Sequence, residues 1–104
     1  MEGFGTYEWA DGRKYEGYWK NNLMHGQGVY TWLDGRKYDG QYQDDQKNGK
    51  GSFFWPDGRE YHGLWKDGRQ HGEGTFKSVQ GIIKKGIWEN GSRISWINAE
   101  AARV

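Results

Sequence analysis

Residue types capable of nucleophilic or metal chemistry occur in this chain, but their spacing matches no catalytic or metal-binding motif. His25 and His71 do not stand in a ligand motif, and Asp44 and Asp45 lack the spaced oxygen ligands of a calcium loop. Four serines lack the sequence context of a nucleophile elbow: Ser52, Ser78, Ser92 and Ser95. The chain has no cysteine, which excludes a thiolate nucleophile, a thiolate metal site and a disulfide. The sequence therefore predicts no catalytic residue, no cofactor and no metal ion within one chain; a metal ion that bridges two chains through these histidines is the alternative.

Basic side chains offer a second kind of chemistry, the recognition of anions. Five of them would line one edge of a sheet and meet anionic lipid headgroups: Arg13, Lys14, Arg36, Lys37 and Arg59. The alternative is that each arginine pairs with the aspartate of its own turn, Asp11, Asp34 or Asp57, or lies over an aromatic ring. We favour this alternative because an aspartate stands two residues before each of the three arginines, and because the net charge is only +1. Interspersed charge also argues against nucleic-acid binding.

These residues are positioned by a unit of 23 residues that recurs along the chain. Complete units occupy residues 15–37, 38–60 and 61–83, and partial units occupy 1–14 and 84–96. Counted from Tyr15 as position 1, sixteen of the 18 glycines stand at positions 3, 12, 14 and 21 of the unit. The glycine content therefore reflects structural periodicity, and residues 1–96 are predicted to form one repeat array.

Each unit is predicted to be a β-hairpin. Asp-Gly pairs such as Asp11-Gly12 lie between aromatic, strand-like runs and indicate tight turns that join successive hairpins. A longer polar connection, Asn21 to His25 in the first complete unit, is expected between the two strands of one hairpin. About nine strands then form an all-β, single-layer, twisted antiparallel meander. The tail, residues 97–104, favours a short helix with Asn98 as its N-cap.

The alternation of side chains along a strand predicts one face of aromatic rings and glycines and one largely polar face. Glycine within a strand leaves room for a ring to lie against bare backbone. One interpretation is that the rings serve only as a core. The other is that they line a groove for a partner, since a single layer leaves apolar surface accessible. The predicted groove consists of Tyr15, Trp19, Tyr30, Trp32, Tyr38, Tyr42, Phe53, Trp55, Tyr61 and Trp65.

The run YEGYW, followed by GQG and DG within residues 15–35, resembles the MORN (membrane occupation and recognition nexus) repeat family. The resemblance covers residues 1 to about 96, with departures in the last copy, where Ser78 and Lys84 replace aromatic residues. It implies a β-meander of MORN hairpins that acts without catalysis in protein binding, oligomerisation or membrane association. Such arrays occur in cytoskeletal, ciliary and membrane-junction proteins and as appendages of lipid kinases and methyltransferases.

Three functions are therefore expected, in order of preference. The first is a non-catalytic scaffold whose groove accepts a partner protein segment, such as an amphipathic helix, in a cytoskeletal, ciliary or membrane-associated assembly. The second is a module that tethers to anionic phospholipid, and the third a regulatory appendage of a lipid kinase or other enzyme outside these residues. Homo-oligomers through the ends of the array are also expected, because an incomplete unit leaves an unpaired edge. The sequence contains no signal-peptide pattern, no membrane-span window and no cysteine. The chain is therefore expected to be cytoplasmic, with association with the cytoskeleton or a cilium and a peripheral position at a membrane as the alternatives.

Overall fold

A computed structural model describes residues 2–97 as one open antiparallel sheet of nine strands in sequence order. The strands are β1 (Gly3–Glu8), β2 (Lys14–Lys20), β3 (Leu23–Thr31), β4 (Lys37–Gln43), β5 (Gln46–Phe54), β6 (Glu60–Lys66), β7 (Arg69–Lys77), β8 (Ile83–Glu89) and β9 (Ser92–Ile97). This confirms the predicted all-β meander. Ile97 belongs to β9, and the rest of the tail expected to be helical, residues 98–104, lies outside the described residues. Within residues 2–97 there is no helix long and apolar enough to cross a membrane.

The tight turns lie within the units, not between them, so this part of the prediction was wrong. Strands β2 and β3 are joined by Asn21 and Asn22 alone, with φ angles of 53° and 63°. Asp44-Asp45 and Asp67-Gly68 join the corresponding strands of the next two units, again with positive φ at both residues. Two positive φ angles in succession characterise the type I′ turn, whose twist matches that of the flanking strands. The remaining residues of the expected polar connection, up to His25, belong to β3.

The Asp-Gly pairs at positions 20 and 21 of the unit lie in longer loops of five residues: Asp11-Gly12, Asp34-Gly35 and Asp57-Gly58. In the first such loop the Trp9 amide donates to the Arg13 carbonyl at 2.8 Å, and the Gly12 amide donates to the Trp9 carbonyl at 3.0 Å. The Arg13 amide donates to the Asp11 carboxylate at 3.1 Å. The same bonds recur in the loops at residues 32–36 and 55–59. These loops connect one unit to the next and fix each tryptophan and arginine at the same edge of the sheet.

An irregularity interrupts the pairing of β2 with β3 and gives the glycine at position 12 a different role from those at positions 3 and 14. Gly17 pairs with Gly28, but Trp19 pairs with Met24, so β3 contributes two extra residues. Gly26 lies in this bulge with a φ of +81°, a conformation that favours glycine. The glycine at position 12 therefore serves the backbone of the bulge, whereas the glycines at positions 3 and 14 make room for a ring.

The core of the protein is one face of its own sheet. Tyr15, Tyr38 and Tyr61 are fully buried, and each lies over the paired glycines of its own unit. A Cβ atom on Gly17 would lie 2.6 Å from the Tyr15 hydroxyl, and one on Gly28 would overlap the Tyr15 ring. The rings thus pack where side chains are missing, as predicted. Within residues 2–97 no second layer covers this face, and the molecule measures 53 × 25 × 18 Å.

Candidate functional site

The aromatic face is the surface formed by the buried ring cluster and the partly buried rings that border it. Of the ten predicted groove residues, eight are buried, and only Trp32 and Trp55 keep part of their surface exposed. Three further aromatic side chains border the cluster in the same partly buried way: Trp9, Phe76 and Trp96. A molecule that docks on this face would therefore touch mainly the tryptophans at position 18, which are Trp9, Trp32 and Trp55, over a floor of buried tyrosines. The binding role of the groove stays a prediction.

The buried tyrosines form the rigid floor of the aromatic face. The Tyr15 hydroxyl donates to the Tyr18 carbonyl at 2.9 Å, and Tyr38 and Tyr61 make the corresponding bonds at the same distance. Burial raises the pKa of Tyr15 and that of Tyr61 to about 12. Burial also raises the pKa values of Tyr38 and Tyr42. All four side chains are therefore neutral at physiological pH, and the floor carries no charge of its own.

Each of the three loop arginines is held by an aspartate and a tryptophan of its own loop. The guanidinium of Arg13 lies 2.8 Å from the Asp11 carboxylate and 5.2 Å from the centre of the Trp9 ring. Arg36 and Arg59 repeat this arrangement, with ion pairs of 2.9 and 2.8 Å and ring distances of 5.1 and 5.0 Å. Hydrogen bonds from the arginines lower the pKa values of Asp11 and Asp57. The arginines of the predicted basic row are thus already partnered within the chain.

The two lysines of the predicted basic row are placed differently from the arginines. Lys37 is exposed, with its ammonium group 5.4 Å from the centre of the Phe54 ring, and Lys14 is partly buried. Both stand at the first residue of a strand, next to the arginine of the preceding loop. The row is therefore a set of separate basic groups, most of them partnered, and its contact with lipid stays a prediction.

Lys47 brings a cation onto the aromatic face itself, which the sequence did not predict. Its ammonium group lies 5.4 to 5.9 Å from four ring centres: Trp65, Tyr38, Trp32 and Phe53. Burial, and then the charge of Arg36, lower the pKa of Lys47. Position 10 of the unit holds Met24, Lys47, Gln70 and Arg93, so no shared residue type marked it in the sequence. Had the two-residue turns been recognised, position 10 would have been placed opposite position 5 on the aromatic face.

His25 and His71, the two histidines considered as metal ligands, stand at the same position of two different units. The Nδ1 atoms of His25 and His71 are buried without a hydrogen-bond partner, and His25 Nδ1 lies 4.0 Å from the Asp44 carboxylate. Among residues 2–97, no three side chains of histidine, cysteine, aspartate or glutamate come close enough to hold a metal ion. Asp44 and Asp45 form a turn, in which Asp45 Oδ1 accepts a hydrogen bond from the Met24 amide at 2.6 Å.

A hydrogen-bonded row of Ser52, His62 and Glu60 lies on the polar face. His62 Nδ1 is 2.7 Å from the Ser52 hydroxyl, and His62 Nε2 is 2.8 Å from the Glu60 carboxylate. The hydrogen bond to His62 lowers the pKa of Glu60. A serine nucleophile also needs N–H donors aimed at the developing oxyanion. Ser52 and His62 pair directly across β5 and β6, and both strands are paired on both sides, so the backbone there is engaged in the sheet. The row is a surface contact between adjacent strands, in which His62 is exposed and Ser52 and Glu60 are partly buried.

Comparison with known families agrees with this geometry. The model of the MORN repeat matches residues 1–12, 15–35, 38–58 and 61–82. The search among curated proteins gave no significant match. In this family the repeat is generally a non-catalytic module involved in protein or membrane-lipid interactions. The matched residues supply β1 to β7, including all three tyrosines that lie over paired glycines, and the chain therefore belongs to the MORN repeat family.

Proposed function

We propose that this chain is a non-catalytic scaffold whose aromatic face binds a segment of a partner protein. The observation that carries the proposal is the open layer. One face of the sheet holds ten buried hydrophobic residues, and no layer lies over it within residues 2–97. Trp9, Trp32 and Trp55 remain partly exposed along that face. Partly exposed tryptophans over a rigid apolar floor are typical of binding hot spots.

An amphipathic helix is the segment that fits this row of tryptophans best. Successive tryptophans stand two strands apart, a spacing of about 10 Å. Seven residues of α-helix rise by about 10.5 Å. A helix lying across the strands would therefore place one apolar side chain against each unit with a seven-residue period. This match makes an α-helix with apolar residues at i and i+7 the expected partner segment.

The test compares capture of partners from the native source by wild-type protein and by the double variant Trp32→Ala, Trp55→Ala. The matched control truncates two exposed residues of the polar face, Tyr18→Ala and Leu64→Ala. We expect partner affinity to fall by about tenfold or more in the tryptophan variant and to stay unchanged in the control. Circular dichroism checks that both variants fold. Equal capture by the wild type and a folded tryptophan variant would overturn the proposal.

Attachment to an anionic membrane surface is the second candidate, supported by the involvement of this family in lipid interactions. The ion pairs of Arg13, Arg36 and Arg59 count against it, because binding headgroups would require these arginines to exchange partners. The measurement is binding to phosphatidylserine vesicles at low salt. Salt-sensitive binding that is lost on replacing the three arginines by glutamine would favour the membrane role over the protein partner.

We also propose that the assembly is cytoplasmic and is cytoskeletal, ciliary or membrane-associated, as expected from the family contexts. Imaging of the tagged protein in its native cell tests this directly. A secreted or nuclear location would contradict it.

A further inference from the structure

Lys47 shows how the aromatic face of this chain holds a cation. Its ammonium group is enclosed by the rings of Trp32, Tyr38, Phe53 and Trp65. Among the residues that the structure describes, no carboxylate lies within ion-pair distance of it. Ring faces attract cations through their quadrupole, most strongly where water is excluded. The four rings therefore surround a tethered alkylammonium group at cation–π distances, although burial lowers its pKa.

One unit earlier, position 10 borders an open cavity that shares two of the four equivalent rings. Met24 replaces Lys47 there, and a cavity of about 540 Å³ lies beside it, with Trp9 and Tyr30 in its lining. These two rings stand 23 residues before Trp32 and Phe53, which enclose Lys47. The rings of Tyr7 and Trp19 complete the aromatic lining. The volume falls within the range of ~300–1,000 Å³ that is usual for small-ligand sites.

The charges around the cavity also favour a cation. Asp45 lines it, and the hydrogen bond from the Met24 amide to Asp45 Oδ1 fixes this carboxylate beside Met24. The corresponding residue of the next unit is Gly68, which has no charge. Arg13 also lines the cavity, but its guanidinium is paired with Asp11 at 2.8 Å. Burial, and then the charge of the equivalent Arg36, lower the pKa of Lys47, so Arg13 opposes a cation in this place, and the Asp45 carboxylate is the group that offsets it.

We propose that the cavity beside Met24 is a binding site for an alkylammonium group, the side chain of a lysine on the segment that docks on the aromatic face. This inference rests on the proposed function and adds the chemistry that the segment must carry. The lysine would enter between the rings of Trp9, Trp19 and Tyr30 and approach the Asp45 carboxylate. In the neighbouring unit, the ammonium group of Lys47 itself would occupy the equivalent site.

The first test uses n-butylammonium chloride, which has the length of a lysine side chain, in an NMR titration of the whole chain. We expect saturable shifts of the Met24 methyl group and the indole N–H groups of Trp9 and Trp19. The neutral analogue n-butanol should bind about tenfold more weakly. Equal binding of the amine and the alcohol, or no saturable shift with the amine, would overturn the proposal.

Two reciprocal variants locate the site. Met24→Lys places a tethered ammonium group in the cavity and should abolish the shifts caused by n-butylammonium. Lys47→Met empties the second site and should create a new response at Trp32. Asp45→Asn keeps the oxygen that accepts from the Met24 amide and removes the charge, so affinity should fall several-fold. If a folded Met24→Lys protein binds n-butylammonium as well as the wild type does, the site is elsewhere and the proposal fails.

The two proposals can fail separately. A captured partner that depends on Trp32 and Trp55, but keeps its affinity when all its lysines are replaced by glutamine, would overturn the lysine site and leave the docking face standing. The reverse outcome has two parts: the cavity binds n-butylammonium, but the partner binds the Trp32→Ala, Trp55→Ala variant as tightly as the wild type. This outcome would support an ammonium site and overturn the proposed docking face.

Discussion

At the scale of single residues, the fold depends on the contact between a tyrosine and two glycines. In the unit that begins at Tyr38, the ring lies over Gly40 and Gly51, and its hydroxyl donates to the Gln41 carbonyl at 2.9 Å. A side chain on either glycine would occupy the space of the ring. The tyrosine in turn provides the buried apolar surface that a single layer otherwise lacks. Neither residue type stabilises the unit without the other.

Gly40→Ala should therefore destabilise the protein more than Gly86→Ala, which changes the same position of the last unit. A Cβ on Gly40 would lie 2.6 Å from the Tyr38 hydroxyl and overlap Gly51, whereas one on Gly86 would meet its nearest atoms at 3.0 Å. We expect a loss of about 1–3 kcal/mol or more for Gly40→Ala in urea denaturation, and a smaller loss for Gly86→Ala. Equal losses would show that the ring contact is not decisive.

The buried tyrosines also predict a fall in stability at alkaline pH. Burial raises the pKa values of Tyr15 and Tyr61 to about 12, above the ordinary value of 10.0. Between these values the unfolded chain releases tyrosine protons that the folded chain retains, so the free energy of unfolding decreases as pH rises. The contribution is complete below pH ~10 and is lost towards pH ~12. Denaturation curves from pH 8 to 12 test this, and the double variant Tyr15→Phe, Tyr61→Phe should show a shallower decrease than the wild type.

At the scale of the elements, two kinds of connection alternate along the meander. Two-residue turns close the hairpin within each unit, and five-residue loops join the units, three of them with an Asp-Arg-Trp contact. The turns set the register that brings position 10 opposite position 5 on the aromatic face, as in the pair of Tyr42 with Lys47. The loops hold the partly exposed tryptophans at one edge. The turns therefore determine what lines the aromatic face, and the loops determine what borders it.

Gly68→Ala tests the two-residue turn without disturbing any packing. Gly68 has a φ of +83°, and an added Cβ would meet nothing within 4 Å, so the cost arises from the backbone alone. We expect a destabilisation of about 1–2 kcal/mol for alanine and a smaller one for asparagine, which tolerates this conformation. The two variants are compared by thermal or urea denaturation. If alanine is as stable as glycine, the turn conformation is not the one described.

The sequence predicted the strand number, the antiparallel order and the two faces because glycine and aromatic columns are visible in every unit. It misplaced the tight turns for two reasons. Asn21-Asn22 and Asp44-Asp45 lie in polar stretches that are typical of longer loops, whereas Asp-Gly pairs such as Asp11-Gly12 are typical of two-residue hairpin turns. It also missed the place of Lys47, because the pairing of position 10 follows from the turn and the bulge. For the predicted groove, the sequence indicated which rings cluster together. It did not indicate that only Trp32 and Trp55 of the ten groove residues keep exposed surface.

At the scale of the whole molecule, backbone pairing joins each strand only to its neighbours in the sheet, and ring contacts reach one strand further, as between Tyr15 and Tyr42. The stability of such an array is approximately a sum of nearest-neighbour contributions. Strand β1 pairs on one side only and has mostly exposed residues, whereas β4 to β6 pair on both sides in the middle of the sheet. Stability should therefore vary along the long axis of the sheet.

Hydrogen exchange measures this gradient. We expect the amides of β4, β5 and β6 to be the most protected and those of the edge strands β1 and β9 to exchange fastest, because each edge strand is paired with one neighbour only. Uniform protection along residues 2–97 would indicate a single cooperative unit instead of a sum of local contributions.

The most direct measurement maps a captured partner segment onto the sheet by NMR chemical-shift perturbation. If the aromatic face is the recognition surface, the indole signals of Trp9, Trp32 and Trp55 shift on binding, and Tyr18 and Leu64 on the polar face do not. Shifts confined to the polar face, or to the loop arginines alone, would contradict the central claim that this one layer binds through its rings.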